Sequence, residues 1–447
     1  MARDMTKGKI APLLIEFAVP LVLGNMFQLL YNAVDSIIVG KFVGADALAA
    51  VGTSNPIITM AILFINGLCM GASVLMGNQY GAKECDTLRR QISTTLLAGL
   101  SFAVVLSVSC AAAAPLIFRL IRTPEEIRVL GTPYLRIIFC GLIFTFIYNF
   151  FASTLRAMGD SKNPLYFLIL SSILNVAGDL FFVICLHWDI AGCALSTVLS
   201  EALCCLLCGI YIKRKVKILA LGRAWFVLDK SLLKTTISYA WTTAVQQAII
   251  PLGKVFMQSM VNTMGTAAIA AISAVNRIDD FAFTPQQNIA HATTAFMAQN
   301  NGAGELKRLK SGFKVGMWIE IFYGLAVMLV CFTGAVPLMG LFTSDTGVIA
   351  QGAIYLRLIA FMYLLPAVTN GIQGFFRGVG EMRITLISST VNIVGRCAAC
   401  AVLVYLFGMQ IRAVPWAQMI GWFLMLAAEL PILCRRWRAL NARIAAL

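Results

Sequence analysis

The side chains best suited to ion chemistry lie inside apolar stretches of this chain. One stretch carries three amides and a carboxylate at spacings of three, four and three residues: Asn25, Gln28, Asn32 and Asp35. A later stretch carries Asn175 and Asp179 four residues apart. In a helix, either spacing puts the polar groups on one face. Because carboxylate and amide oxygens bind hard cations, and a carboxylate also accepts a proton, the pattern predicts a site for Na⁺ or H⁺.

Other polar groups occupy further apolar stretches. Thr197 and Glu201 lie one helical turn apart, and the second half of the chain has polar groups of mixed charge on comparable faces: Gln247, Lys254, Asn276, Asp280 and Asn370. A charge at the centre of a bilayer costs about 2.5 to 3.5 kcal/mol on insertion scales, so each group needs a partner, water or a function. We expect them to line a cavity or contact substrate. Two alternatives stay open: Asp35 could merely meet water at the outer end of its span, with a role outside function also open for Asp179 and Glu201, and Lys254 could extend to the membrane surface.

The elements that must position these residues are transmembrane helices. The chain has 447 residues, of which 60% are hydrophobic and 12% charged, and its mean hydropathy of +0.84 is far above that of a soluble domain. A membrane-spanning helix needs about 20 mainly apolar residues. The sequence predicts twelve such spans, near residues 13–33, 50–76, 93–117, 131–153, 164–186, 190–212, 236–258, 276–298, 314–339, 353–375, 384–407 and 413–434.

The formal net charge of +15 does not indicate a nucleic-acid partner, because most of the 35 Lys and Arg residues fall on alternate loops between the predicted spans. Cytoplasmic loops retain positive charge, so both termini and the basic segment 213–234 are predicted to be cytoplasmic. The first apolar run has the length of a full span and no small-residue cleavage site, so we expect it to remain in the mature protein.

The 13 cysteines and the polar groups do not form the clusters that catalysis or a structural metal requires. Two Cys-x-x-Cys pairs, at 205–208 and 397–400, lie in apolar runs without the second pair of a zinc site. The predicted spans also contain no grouped nucleophile and base. An enzyme and a bound cofactor are therefore not expected.

An internal repeat organises the chain. Shifting the sequence by 221 positions superimposes several separated blocks, namely 44–51 on 265–272, 81–84 on 302–305 and 156–160 on 377–381. Each repeat holds six predicted spans, an even number, so the repeats should be parallel. The predicted fold is an all-α membrane protein with two six-helix bundles around a central cleft. Its predicted domains are the bundle 1–212, the linker 213–234 and the bundle 235–447.

These motifs resemble those of a known transporter family. The run Tyr-Asn-Ala-Val-Asp at 31–35, the block 44–52, Gly-Ala-Lys at 81–83, Leu-Arg-Ala-Met-Gly-Asp at 155–160 and Asn-x-x-x-Asp at 175–179 are similar to those of the multidrug and toxic compound extrusion (MATE) family, in its prokaryotic DinF-like branch. The resemblance covers residues from about 10 to 435. It implies a V-shaped antiporter of 12 helices in the cell membrane, which exports organic, commonly cationic and amphipathic compounds in exchange for Na⁺ or H⁺.

The resemblance also implies site residues and partners. The coupling ion would bind at Asp35, Asn175, Asp179 and Thr197. The branch with an acidic residue in span 7 is matched less well, since this sequence has Gln246 and Gln247 there. The expected partners are a small-molecule substrate and the lipid bilayer, with the chain acting as a monomer. An alternative is a flippase for lipid-linked saccharides, because such proteins resemble the same superfamily.

Overall fold

The apolar runs form long α-helices, as they must in lipid, where each backbone N–H and C=O has to be bonded within its own segment. A computed structural model of the chain describes residues 4–216 and 226–446. The helices of the first half are α1 (Ile10–Ile38), α2 (Ala45–Gly81), α3 (Cys85–Leu120), α4 (Glu125–Ala157), α5 (Lys162–Leu180) and α6 (Asp189–Lys215). Those of the second half are α7 (Lys230–Val261), α8 (Thr266–Gly302), α9 (Leu306–Thr333), α10 (Ala335–Gly340), α11 (Thr346–Ala360), α12 (Leu364–Gly378), α13 (Met382–Tyr405) and α14 (Ala413–Ala445).

The predicted class, an all-helical membrane protein, is confirmed. The residues that the structure describes contain helices and turns without a strand, and ten helical segments among them are long and apolar enough to cross a membrane. The helices α7 and α8 are as long, at 32 and 37 residues, but they do not belong to these ten. The chain is thus a multi-pass membrane protein, and the two long helices outside this set follow one another.

The internal repeat is visible in the backbone. Gly44 and Gly265, which are 221 positions apart, have φ angles of 129° and 92°, and Gly159 and Gly380 have φ angles of 85° and 87°. Only glycine adopts such angles without strain. The helices that follow the first pair, α2 and α8, are both 37 residues long. The matched sequence blocks therefore form matched turns.

The chain divides into two compact units, and the divisions fall inside helices. The first unit consists mainly of Val19–Ala248, and the second of Met5–Ala18 together with the chain from Ile249 onward. Consequently α1 and α7 each contribute residues to both units. Of the predicted linker 213–234, residues 217–225 lie outside the described residues.

Close helix packing in the first unit depends on small residues. A Cβ atom on Gly67 of α2 would lie 2.5 Å from the Ala244 Cα atom of α7, and one on Gly71 would lie 2.4 Å from the Tyr239 carbonyl oxygen. Glycines four residues apart allow membrane helices to approach backbone to backbone. This contact holds the first part of α7 against α2.

Candidate functional site

Two carboxyl groups meet in the first unit. Asp35 of α1 and Asp179 of α5 lie within hydrogen-bonding range of each other. Asp179 is fully buried and Asp35 is half-buried. Within the described part of the chain, Asp35 Oδ1 and both Asp179 oxygens are buried and reach no partner at normal hydrogen-bond geometry. The structure therefore brings together two acids that are 144 positions apart in the sequence and leaves acceptor oxygens between them.

Amide and hydroxyl groups of α5 and α6 extend this acid pair. The Asn175 side-chain amide donates to the Thr197 hydroxyl at 3.2 Å and to the Ser196 hydroxyl at 3.4 Å, and Ser196 donates to the Asn175 carbonyl oxygen at 2.7 Å. The helices approach closely here because Gly178 has no side chain, and a Cβ atom on it would lie 2.4 Å from Ser196 Oγ. With its amide donors used, Asn175 keeps Oδ1 as a buried acceptor without a partner among the described residues.

A π-helical turn follows each of the two acid-bearing helices. Val39–Val43 continues α1 and Phe181–Cys185 continues α5, and the two turns contact each other. A π-helical turn inside or beside an α-helix is rare and frequently marks a functional site. The acid pair thus lies directly beside two irregular turns that touch.

Further polar residues of the first unit lie near the pair. The Thr145 hydroxyl of α4 donates to Glu201 Oε2 of α6 at 2.5 Å. Tyr31 interacts with Gln28 on the same helix and lies near both Glu201 and Asp35. Of the remaining predicted residues on α1, Asn25 is half-buried and Asn32 is exposed. Tyr31 therefore lies near Asp35 of the acid pair and near Glu201, which accepts the hydrogen bond from Thr145.

The atoms of this site that could bind an ion are mostly oxygens. Among residues 4–216 and 226–446, no Lys or Arg side chain forms an ion pair with Asp35, Asp179 or Glu201. The same residues contain no group of three or more His, Cys, Asp or Glu side chains arranged to hold a metal ion. Carboxylates with amide and hydroxyl oxygens are suited to Na⁺ or to a proton rather than to a soft metal.

The second unit has a different site, in which acids are paired. Lys254 Nζ of α7 lies 3.1 Å from Asp280 Oδ1 of α8, and the Tyr363 hydroxyl donates to Asp279. Asn276, on α8, is exposed, whereas Asn370 on α12 and Gln247 on the first-unit part of α7 are half-buried. The structure brings Lys254 and Asp280 into contact; it gives no such contact between them and Asn370.

Three acids with tertiary partners or deep burial were not predicted as site residues. Asp279 is buried beside Tyr363, and Glu429 of α14 accepts from the Gln373 amide at 3.5 Å. Glu320 of α9 is 0% exposed, and neither carboxylate oxygen has a hydrogen-bond partner in the described part of the chain. The sequence signal for Glu320 was a single glutamate inside the apolar run 314–339.

The fold and these sites define a polytopic α-helical membrane protein with an oxygen-lined acid pair in one unit and an ion-pair cluster in the other. The family model MatE matches residues 20–181 and 243–402. The chain is 30% identical over 375 residues to the probable multidrug resistance protein YoeA of Bacillus subtilis, covering 82% of this chain and 81% of that protein. It is also 30% identical over 394 residues to the probable multidrug resistance protein YpnP of the same organism, covering 88% and 87%.

A solved structure has the same fold. The crystal structure of MATE in complex with MaL6 superimposes with a TM-score of 0.91 at 22% identity, covering 98% of this chain and 99% of that one. The chain belongs to the MATE family, and the family predicted from its motifs is confirmed. It is accordingly a multi-pass membrane transport protein.

Proposed function

We propose that the chain is a secondary active antiporter, which exports organic amphipathic compounds, cationic ones among them, in exchange for Na⁺ or H⁺. The observation that carries this proposal is the contact between Asp35 and Asp179. Two adjacent carboxylates in a site of low dielectric constant repel each other, and a shared proton or a bound small cation relieves that repulsion. The relatives YoeA and YpnP, both named probable multidrug resistance proteins, support export of drug-like compounds.

The ion site consists of Asp35, Asn175, Asp179 and Thr197. The two aspartates supply the negative charge, Asn175 Oδ1 supplies a neutral oxygen ligand, and Thr197 holds the Asn175 amide so that this oxygen is presented. A site built from preset oxygens binds a desolvated cation without first having to break internal ion pairs. The polar residues Asn25, Gln28, Asn32 and Glu201 line the approach to this site.

Exchange requires that ion and cargo bind in competition. Because linkage is reciprocal, an ion that lowers the affinity for cargo is itself bound more weakly when cargo is present. Downhill entry of the ion then expels the cargo, provided that the protein opens to one side at a time. We assign Gln247, Lys254, Asn276, Asp280 and Asn370 to the surface that contacts cargo.

The proposed topology has twelve spans in two bundles of six. It adds α7 and α8 to the ten apolar segments, since each is longer than 30 residues. Both termini and the basic segment 213–234 are assigned to the cytoplasmic side of the cell membrane by their Lys and Arg content. The chain acts as a monomer in this proposal.

The test is transport by the purified chain in proteoliposomes loaded with ethidium, driven separately by a sodium step and by a pH step. Asp35→Asn and Asp179→Asn each keep the size of the side chain and remove its charge. We expect each to lower gradient-driven export about tenfold or more, in line with the loss of a typical coupling energy. The matched control is Asp46→Asn, at an exposed position in the first turn of α2, which should transport like the wild type. Undiminished gradient-driven export by both variants would overturn the assignment.

A further inference from the structure

Two helices of the second unit carry their positive charges at one end only. In α9, Lys307, Lys310 and Lys314 lie near the start, and the rest of the helix has neither Lys nor Arg. In α14, the first Lys or Arg is Arg435, close to the end, and Arg438 follows it. The hydrocarbon core of a bilayer takes up about 20 helical residues. Both charged ends therefore extend to the level of the lipid headgroups.

The charged ends of α9 and α14 contact each other. The Lys310 ammonium donates to Asn441 Oδ1 at 2.7 Å and lies 5.6 Å from the centre of the Trp437 ring. The Phe313 ring packs on the same tryptophan, with 5.3 Å between the ring centres. Arg438 directly follows Trp437, so its charge lies at the same contact. The positive side chains at this contact form one group, which we call the cation band: Lys307, Lys310, Lys314 and Arg438.

Acids of the protein do not neutralise the cation band. In the described part of the chain, no Asp or Glu forms an ion pair with any of its four members. Glu381, at the start of α13, pairs with Arg436 instead. Glu305 precedes α9, and this single acid leaves an excess of positive charge. The retention of basic residues on one side of the membrane accounts for cations at a helix end, but not for their grouping at one contact.

Exposed apolar side chains continue the cation band along both helices. On α9, Trp318 and Phe322 follow Lys314 in steps of four residues and are 58% and 65% exposed. On α14, Leu430 and Phe423 are exposed and lie seven residues apart, on the membrane side of the charged end. Such spacing keeps side chains on one face of a helix. Because exposed apolar groups of a membrane helix contact lipid chains, the cations at the end of the same face meet lipid headgroups.

We propose that the cation band binds an anionic phospholipid of the surrounding bilayer. The lipid phosphate contacts the ammonium and guanidinium groups of the band, and an acyl chain lies on Trp318 and Phe322. Groups of four or more basic residues beside a membrane helix attract acidic lipids in this way. A zwitterionic phospholipid brings its own cation to the headgroup and therefore gains less from the band. The protein thus has a lipid-binding surface on the outside of its second unit.

The probe is phosphatidylglycerol with brominated acyl chains, and brominated phosphatidylcholine is the reference lipid. Bromine quenches the fluorescence of a tryptophan that contacts the chain, so Trp318 reports on the proposed site. The full chain is reconstituted into vesicles that contain one brominated lipid in an unbrominated background. We expect a relative binding constant about tenfold higher for phosphatidylglycerol, because each Lys or Arg near an acidic headgroup strengthens binding about fivefold. Trp318→Phe should remove this difference from the quenching signal.

The decisive variant combines Lys307→Gln with Lys314→Gln, which should reduce the preference to less than about twofold. Lys307→Arg with Lys314→Arg keeps both charges and should retain the preference. The matched control, Lys83→Gln with Arg443→Gln, removes the same number of charges from exposed positions outside the band and should also retain it. Equal quenching by the two lipids in the wild type would refute the proposal, as would a preference that survives the double glutamine variant or Trp318→Phe. An equal loss in the control would assign the preference to net charge and refute this surface as well.

Discussion

The two units carry related backbones but give their acids opposite surroundings. In the first unit, Asp35 and Asp179 contact each other and no basic side chain of the described chain pairs with them. In the second, Asp280 contacts Lys254 and Asp279 accepts from Tyr363. The second unit therefore gives Asp279 and Asp280 polar partners of their own, whereas the first unit leaves Asp35 and Asp179 without a basic partner in the described chain. Repeats of one sequence can thus keep a fold and divide the chemistry between them.

The largest expected effect on the free energy of unfolding concerns Arg156 and Arg377, which are 221 positions apart. Arg377 Nη2 donates to Gln373 Oε1 at 2.6 Å and lies near Glu429, whereas Arg156 lies near Tyr148. We expect Arg377→Met to lower the free energy of unfolding by about 3 kcal/mol, because Glu429 is then left buried without its cation. Arg156→Met should cost less, about 1 kcal/mol, since it leaves no carboxylate behind. Thermal unfolding in detergent measures the stability of both variants. An equal loss of stability in Arg377→Met and Arg156→Met would contradict the predicted difference between the two units.

A smaller effect on stability is expected at Glu320, an acid of the second unit that lacks a polar partner of the kind found at Asp279 and Asp280. Its buried carboxyl group gains no hydrogen bond within the described chain. Replacing such a group by an apolar one of similar length removes a desolvation cost of about 1 to 3 kcal/mol. Glu320→Met should therefore raise the thermal midpoint and keep gradient-driven export.

The control for that substitution is Glu320→Ala, which leaves a cavity and should be less stable than Glu320→Met. Loss of ion-driven export in Glu320→Met, with folding intact, would place an ion-binding acid in the second unit as well and remove the contrast between the units.

The smallest effect concerns the start of α7, outside the membrane-spanning helices. Asp229 accepts from the Ser231 hydroxyl and from the backbone N–H groups of Ser231 and Leu232, and these hydrogen bonds lower the pKa of Asp229 below its usual value of 3.8. A lowered pKa stabilises the folded form above pH 3.8, and this contribution is lost as the pH falls through the folded-state value. Asp229→Ala should reduce hydrogen-exchange protection of the first turn of α7 a few-fold at pH 7.

The comparison for this prediction is Asp345, which caps α11 in the second unit through the N–H groups of Gly347 and Val348. Asp345→Ala should reduce hydrogen-exchange protection at the start of α11 and leave the protection at the start of α7 unchanged. If Asp229→Ala has the same effect at pH 3 as at pH 7, the carboxylate form is not the stabilising one.

The sequence predicted the helices well because bilayer thickness imposes a minimum apolar length. It was less accurate where a helix changes its geometry. The predicted span 353–375 consists of α11, a 3₁₀-helical turn at Phe361–Tyr363 and α12, and the predicted span 314–339 ends in the separate helix α10. Such breaks depend on local backbone geometry and packing, which an average over apolar residues does not record.

The candidate site was only partly visible in the sequence. Helical spacing placed Asn175 and Asp179 on one face, and in the structure Asn175 donates a hydrogen bond to Thr197. The hydroxyl partners Thr145 and Tyr363 were missed, because each meets its acid through tertiary packing across 56 and 84 positions. Spacing reveals neighbours on one helix, whereas contacts between helices need the packed structure.

The π-helical turn Val39–Val43 has a consequence for variation in this chain. Such a turn holds one residue more than an α-helical turn, and each residue of an α-helix rotates the chain by about 100°. Deleting one residue there would give a regular α-helical turn with nearly the same rotation, so the direction of Asp35 relative to the following chain would change little. A deletion inside Ile10–Ile38 would instead rotate the residues on its two sides by about 100° relative to each other, and it should therefore be less tolerated than a deletion at this turn.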